Sequence, residues 1–495
     1  MSLCVLELLH PDGIARNTYV VGSNCPPRLA PTRPPELGSP ADLLILAPSA
    51  GECRRSGWLS GAVNAVEHQL AADGIAYVLA PVRWRWEIQK RLRARGLALD
   101  GSVAHLPSVA ASRYLVPLRA PDAQYALSAL MPNAAWKRNF GLLGLRIRGA
   151  EALVSRVWPS AGFVARRSQG RPPMEWLSRI DAHAGPSSTA IISVSWRDER
   201  DSAVVHRVSG RTPSAVAKVS LRQSNPRQQA DEAAALATLA PTAAAAGARV
   251  PRVVATGRLA DHQIILETAV PGRSLANVLM AEPGRLAAAL RRVANWLERW
   301  NLLTRVARGE DSRVHLQHLI LEPAARLAPR LHGGEAYRAW LQARCARIHG
   351  PVPLVAAHHD LTTWNILEDE YGRLGVVDWE AAQACALPLV DFFYVMSDAV
   401  TMSRGGPQRF ERVRALQACL APDSAEAAIV RPLLSRAGHA LGASTELVQL
   451  CLHACFIHHA LNEPTTVQAA TARPFTDIAQ WLATNREDVA SWLSR

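Results

Sequence analysis

One segment places a carboxylate, a carboxamide and two imidazoles close together: Ala357-His358-His359-Asp360-Leu361-Thr362-Thr363-Trp364-Asn365-Ile366-Leu367. Its spacing is H-x-D-x-x-x-x-N, a catalytic-loop pattern of phosphoryl transfer. Soon after comes Gly375-Val376-Val377-Asp378-Trp379-Glu380, which sets a second Asp at the end of an apolar run. Phosphoryl transfer asks for positioning and charge neutralisation more than for covalent chemistry by the protein. A lone Asp beside a His is ordinarily a turn residue or a cap. The weight comes from Asp360, Asn365 and Asp378 occurring in register with one particular Lys. The chain uses Arg for nearly all its cations and keeps Lys only at Lys90, Lys137 and Lys218. Lys is a compact point charge and Arg a broad fork, so a retained Lys marks a place where Arg does not substitute.

The elements that must position these residues follow from the hydrophobic period. From Ser188, three strand-like runs, Ala190–Trp196, Ala203–Val208 and Ala215–Leu221, are joined by short polar turns, which implies an antiparallel sheet. Lys218 lies in the third. An Ala-rich helix follows over Gln228–Leu239. Two more strands, Pro251–Ala255 and Gln263–Glu267, end at the break Val270-Pro271-Gly272. Beyond it the chain reads as mainly helical, with a last helix over Thr476–Leu493. Earlier, Leu43–Leu46, a helix over Leu59–Ala72, Ile75–Leu79 and a helix over Trp86–Arg95 give a β-α-β-α rhythm. That rhythm argues for a parallel sheet covered by helices. The first 41 residues are Pro- and Gly-rich and read as irregular.

Length and composition bound the alternatives. The 495 residues suggest two or three domains, and 49% apolar with 20% charged residues is ordinary for a soluble globular chain. No apolar stretch approaches the roughly 18 residues of a membrane span. The N-terminus lacks the basic and apolar regions of a signal peptide. The eight cysteines show no paired spacing, so a reducing cytoplasm is the expected compartment. The net charge of +13 comes from Arg spread along the whole chain, without a dense block or interleaved aromatics. A nucleic-acid partner is therefore not expected.

The motifs together resemble the aminoglycoside phosphotransferase and choline kinase family, relatives of protein kinases that phosphorylate small molecules. The catalytic-loop match is His358, Asp360, Asn365, Ile366 and Leu367, and the strand match is Asp378, Trp379 and Glu380. Val216-Ala217-Lys218-Val219 resembles the third-strand Lys motif, and Glu232 the helix Glu that pairs with it. Leu266-Glu267-Thr268-Ala269-Val270-Pro271-Gly272 resembles the lobe hinge. The likeness covers roughly residues 188–495. It implies an α+β fold: a C-terminal bilobal protein-kinase-like domain, with an antiparallel β lobe over 186–270 and a helical lobe over 271–495. A smaller α/β, Rossmann-like domain would precede it over 42–185.

The resemblance also implies roles. Asp360 would orient the acceptor hydroxyl and take its proton. Asn365 and Asp378 would hold Mg²⁺ with hard oxygen ligands. Lys218 would hold the ATP phosphates, Glu232 would fix Lys218, and the backbone of Glu267, Thr268 and Ala269 would meet the adenine. The activity implied is ATP-dependent phosphorylation of a small-molecule hydroxyl. His358 reads as a packing residue, Asp391 as structural, and Glu380 equally as a metal or acceptor ligand or as a helix-start carboxylate. Trp379-Glu380 after Asp378 departs from the protein-kinase pattern.

Departures keep other readings open. His359 stands where the family often has Gly. Trp196-Arg197-Asp198-Glu199-Arg200-Asp201-Ser202 replaces a Gly-rich phosphate loop, whose backbone N–H groups would approach the phosphates. One alternative is therefore a catalytically inactive kinase-like binding module. Residues 42–170 distantly resemble the later half of a class I methyltransferase without its glycine motif, so another is a bifunctional protein with an S-adenosylmethionine-binding N-terminal domain. Cys451, Cys455 and His458 share a helical face at metal-ligand spacing, or line a buried helix face. Single acids such as Asp398 and Glu463 form no acidic cluster of the kind a cationic acceptor would call for.

Overall fold

A computed structural model describes residues 5–22, 25–26, 29, 39–49, 51–52, 57–81, 84–106, 114–117, 161–180, 189–194, 202–209, 212–221, 228–259, 262–306, 312–406, 411–463 and 473–494. The fold is α+β, and the chain divides into two compact units. The first comprises residues 1–130, 135–233 and 252–269, and the second residues 131–134, 234–251 and 270–495. The expected acidic loop at 196–201 lies outside the described residues, as does most of 107–160.

The first unit is built on one sheet of eleven strands: β1 (Thr18–Val21), β2 (Ala41–Leu46), β3 (Leu70–Ala80), β4 (Leu97–Leu106), β5 (Tyr114–Pro117), β6 (Ala161–Arg167), β7 (Thr189–Val194), β8 (Ser202–Ser209), β9 (Thr212–Ser220), β10 (Val253–Leu259) and β11 (His262–Thr268). Their order is β1-β2-β3-β6-β4-β5-β7-β8-β9-β11-β10. β1, β2 and β3 pair in parallel, with the helix Trp58–Gln69 crossing between β2 and β3. From β3 onward every pairing is antiparallel. Tyr114 and Leu115 of β5 pair with Ser193 and Ile192 of β7, so one sheet runs through the region near residue 186 where the sequence changes rhythm.

Alternation explains how this sheet is buried on both faces, because successive strand residues point to opposite sides. Leu43, Ile45, Ile75 and Tyr77 join a core that continues to Val205, Val219 and Leu266. Leu44, Leu46, Ala76 and Val78 pack on the other face with Val63 and Val66 of the helix Trp58–Gln69. That helix ends three residues before the expected Ala72, because Leu70–Ala72 are taken into β3. Gly162 in β6 is a close approach: a Cβ there would fall into the Tyr77 ring, whose hydroxyl bonds His105 Nε2 at 2.6 Å.

The second unit is mainly helical. It carries a three-stranded sheet of β12 (Arg273–Ser274), β14 (Ile366–Glu368) and β15 (Leu374–Val376), and a two-stranded sheet of β13 (Val355–Ala357) and β16 (Gln383–Ala386). Gly272 at the expected break has φ 136°, and a Cβ there would meet the Glu368 backbone. The Ala-rich helix runs over Gln228–Ala245, past Pro241 and beyond the expected end at Leu239. Trp296 Nε1 donates to the Ala243 carbonyl in that added turn. The last expected helix is two, Pro474–Thr484 and Arg486–Ser494. Asn485 between them donates its backbone N–H and its side-chain amide to the Trp481 carbonyl, closing the first. No single helix among the described residues is long and apolar enough to cross a membrane.

Candidate active site

The second unit holds Asp360, Asn365 and Asp378. β13 delivers the chain to a loop whose backbone is fixed from one side by a buried carboxylate. Asp391, in the first turn of the helix Val390–Ser403, accepts the N–H of His358 at 2.7 Å and of His359 at 2.9 Å. His358 is fully buried, its Nε2 donates to the Val377 carbonyl at 3.1 Å, and its ring lies edge-on to Trp379. Its Nδ1 accepts the Asp360 N–H at 3.3 Å. The imidazole is thus a brace inside the loop.

His359 has φ 60°. It adopts the left-handed backbone that glycine takes without penalty. The loop therefore keeps the turn that a glycine would make, held by the Asp391 bond. The His359 ring stacks on His458, 4.5 Å between centroids. Burial, with the His458 and His358 rings beside it, pushes its pKa down to about 3, so it is neutral at pH 7.

Asn365 closes the loop onto Asp360. Its side-chain amide donates to the Asp360 carbonyl at 2.8 Å and to the Asp360 carboxylate at 3.1 Å. With the nitrogen committed to Asp360, the carboxamide oxygen is left as a hard donor. Val377 N–H bonds the Asn365 carbonyl at 3.0 Å, so the β14–β15 hairpin brings Asn365 beside the residue preceding Asp378. Asp378 itself has φ 69°, left-handed for a non-glycine residue and the kind of backbone strain that clusters at functional sites. Asp378 and Glu380 have carboxylate oxygens within 4.8 Å of each other. Glu380 lies in the first turn of the short helix Trp379–Ala381. Oxygen donors of this kind, carboxylate and carboxamide, fit Mg²⁺.

Three supports were not singled out from the sequence. Asp398, fully buried, accepts the Thr363 N–H at 2.8 Å and hydroxyl at 2.6 Å and pairs with Arg412 at 3.1 Å. Tyr394 reaches Asp360 Oδ1 with its hydroxyl at 3.5 Å, and its ring stacks on His459. Glu368 pairs with Arg285 and Arg292, tying β14 to the helix Leu286–Thr304 and its approach. Asp391 and Tyr394 are three residues apart on one helix face, a spacing legible in the sequence but silent about its target. Glu463 caps the helix Pro474–Thr484 by accepting the N–H groups of Phe475 and Thr476.

The first unit holds Lys218, Glu232 and the Glu267–Ala269 backbone. Lys218 on β9 and Glu232 on the helix Gln228–Ala245 form an ion pair, with Glu232 buried. Val204 of β8 lies opposite Lys218, as does Ile265 of β11. Glu267 is buried, Thr268 N–H donates to the Arg252 carbonyl at 2.9 Å, and Ala269 N–H reaches the Ser214 carbonyl at 3.4 Å.

The alternative metal face resolves as core. Cys451 and Cys455 are fully buried, and burial pushes both thiols well above their ordinary range. A metal needs the thiolate, which burial in apolar surroundings disfavours. Among the described residues, no cluster of three potential ligands contains them.

Residues 197–429 match the model of a family described as the phosphotransferase enzyme family. No curated protein matches the sequence. The chain is similar to the solved structure of aminoglycoside 2'-phosphotransferase-IIIa in its GDP complex, with 15% identity, 64% of this chain and 98% of that one covered, and a TM-score of 0.38. It is similar to aminoglycoside phosphotransferase APH(4)-Ia, with 12% identity, 64% and 97% coverage and a TM-score of 0.37. For APH(3'')-Id from Streptomyces rimosus with ADP and streptomycin the values are 16%, 56% and 96%, and 0.34. The segment 197–429 that matches this family model contains Lys218, Asp360, Asn365 and Asp378.

Proposed function

We propose that the chain is an ATP-dependent phosphotransferase that moves the γ-phosphate to a hydroxyl group of a small molecule. The observation that carries this reading is the loop in which Asn365 holds the Asp360 carboxylate at 3.1 Å beside the Asp378 strand end. Asp360 accepts the hydrogen bond of the acceptor hydroxyl, aims its oxygen and receives its proton. The new acceptor O–P bond forms as the bond from the γ-phosphorus to the ADP oxygen breaks. Tyr394 steadies the second carboxylate oxygen of Asp360. Asn365 and Asp378 are the residues that would hold Mg²⁺, with Glu380 next to Asp378. When bound, the cation would neutralise charge on the nucleotide phosphates. Lys218, set by Glu232, holds the α- and β-phosphates as a point charge. The Glu267–Ala269 backbone meets the adenine edge.

The test is ADP formation from Mg²⁺-ATP against a panel of sugars, amino alcohols and aminoglycosides, comparing wild type with Asp360→Asn. Acceptor-dependent ADP release that falls by about 100-fold or more in the variant is expected, the scale of a lost general base. Acceptor-dependent release at the same rate in both proteins would refute the role of Asp360. No release with any acceptor, together with no ATP binding, favours a binding module that does not catalyse.

A further inference from the structure

A cavity of about 430 Å³ is lined wholly by residues of the second unit. His359, the residue before Asp360, forms part of its wall, and so do Asp391 and His459. His459 stacks on Tyr394, whose hydroxyl reaches Asp360. The cavity is therefore linked to the candidate catalytic carboxylate through one neighbour in sequence and one ring stack in space.

Its lining is basic. Arg326 and Arg330 contribute fixed positive charges, and His318, His359, His458 and His459 add imidazoles. The lining carboxylate, Asp391, is buried, and both its oxygens are taken by the N–H groups of His358 and His359. His359 Nε2 is buried without a hydrogen-bond partner among the described residues. Nearby acids are committed elsewhere. Asp398 is enclosed with Thr363 and Arg412, Glu463 caps a helix, and Glu322 pairs with His318 at 3.0 Å. A polycationic ligand would meet two guanidinium groups here and no open carboxylate. An anion would find donors and a favourable field.

We infer that this cavity binds an anionic small molecule, a phosphorylated or carboxylated hydroxy compound, and that this compound is the acceptor. The inference rests on the phosphotransferase reading for the word acceptor, but the binding of an anion does not. Arg326 and Arg330 grip the anionic group, and the rest of the compound extends along the wall formed by His359, the residue before Asp360.

The test is direct titration of the full chain, without nucleotide, with glucose 6-phosphate, inorganic phosphate, glucose and kanamycin, using wild type and the double variant Arg326→Gln/Arg330→Gln. Both arginines are exposed, so the variant is expected to fold, and a thermal melt checks it. Glucose 6-phosphate should bind at least tenfold more tightly than glucose and weaken at least tenfold in the double variant, while kanamycin does not bind. Kanamycin or glucose binding as tightly as glucose 6-phosphate would overturn the inference. So would an unchanged affinity in the variant, or no binding of either anion at millimolar concentration. ADP formation separates the two readings. Turnover on a neutral or cationic acceptor, lost in Asp360→Asn, keeps the phosphotransferase and rejects the anion as its acceptor. Anion binding that needs the arginines, with no ADP release on any acceptor, keeps the cavity and rejects the phosphotransferase.

Discussion

Asn365 donates its side-chain amide to both the backbone carbonyl and the carboxylate of Asp360, at 2.8 and 3.1 Å. One side chain thereby fixes the loop backbone, the rotamer of Asp360 and the direction of its own carbonyl oxygen. Catalytic groups act through orientation, and small misplacements are costly.

Asn365→Ala should therefore lower kcat by about 100-fold, comparable to losing a preorganised donor. Asn365→Asp should do as badly, because a second carboxylate beside Asp360 repels it and offers no N–H. The thermal midpoints of both variants should stay near wild type, since Thr362 and Val377 still tie the backbone here. Steady-state kinetics with a melt on the same samples checks this. Retained kcat in Asn365→Ala would show that Asp360 is positioned by other means.

His359 holds φ 60°, where a residue with a Cβ is strained by about 1–2 kcal/mol. His359→Ala keeps the strain and loses the stack on His458. His359→Gly loses the same stack but relieves the strain. The glycine variant should be the more stable of the two by about 1 kcal/mol, read from urea midpoints. Equal midpoints would mean that the loop relaxes to another backbone when the ring is removed.

Asp391 is buried, and burial lifts its carboxyl to about 6 while the His358 and His359 N–H groups pull it back. The fold therefore binds this proton more tightly than the unfolded chain does. The stabilisation from protonated Asp391 is complete below the unfolded value of about 3.9 and is lost as the pH rises through about 6. Wild type should lose stability relative to Asp391→Asn between roughly pH 4 and pH 7. Urea midpoints of both proteins across that range test it, and a difference that does not change with pH would exclude the shift. At every pH the variant should turn over more slowly, because a carboxamide has one oxygen for two N–H donors.

The short-range signals were legible where chemistry and period coincided. Alternating Leu43–Leu46 and Ile75–Leu79 gave strands whose two faces enter two cores, and the interval from Asp360 to Asn365 is a single turn of loop. The sheet order was not legible, since β6 inserts between β3 and β4 from some 55 residues beyond β4's end, as Ala161 pairs with both Ala80 and Ala104. Nothing local in a strand names its neighbour. The supports of the loop were hidden for the same reason. Asp398 looked like an isolated acid, and only the fold shows it closed around Thr363 and Arg412. The left-handed backbone of His359 was masked by its side chain, because residue type suggested a departure where the fold keeps the turn.

Lys218 and Glu232 make a nearly dry ion pair, with side-chain exposures of 13% and 1%. His206 nearby is half-buried, and its pKa is lowered to about 4, first by desolvation and then by the Lys218 charge. Removing one member of such a pair strands a charge, so Glu232→Gln should destabilise the chain by about 3 kcal/mol. Lys218→Met should cost a similar amount by removing the positive charge that faces the buried Glu232 carboxylate. The double variant Lys218→Met/Glu232→Gln removes both charges and should recover most of that stability, since neutral replacement of a buried pair is often tolerated. Activity should not recover, because the proposed phosphate contact needs the ammonium. Lys218→Arg, which keeps the charge but spreads it over a fork, should still lower kcat/KM at least about tenfold. Urea unfolding and ADP release on the four proteins separate the two roles. Stability and turnover returning together in the double variant would reduce Lys218 to a structural residue.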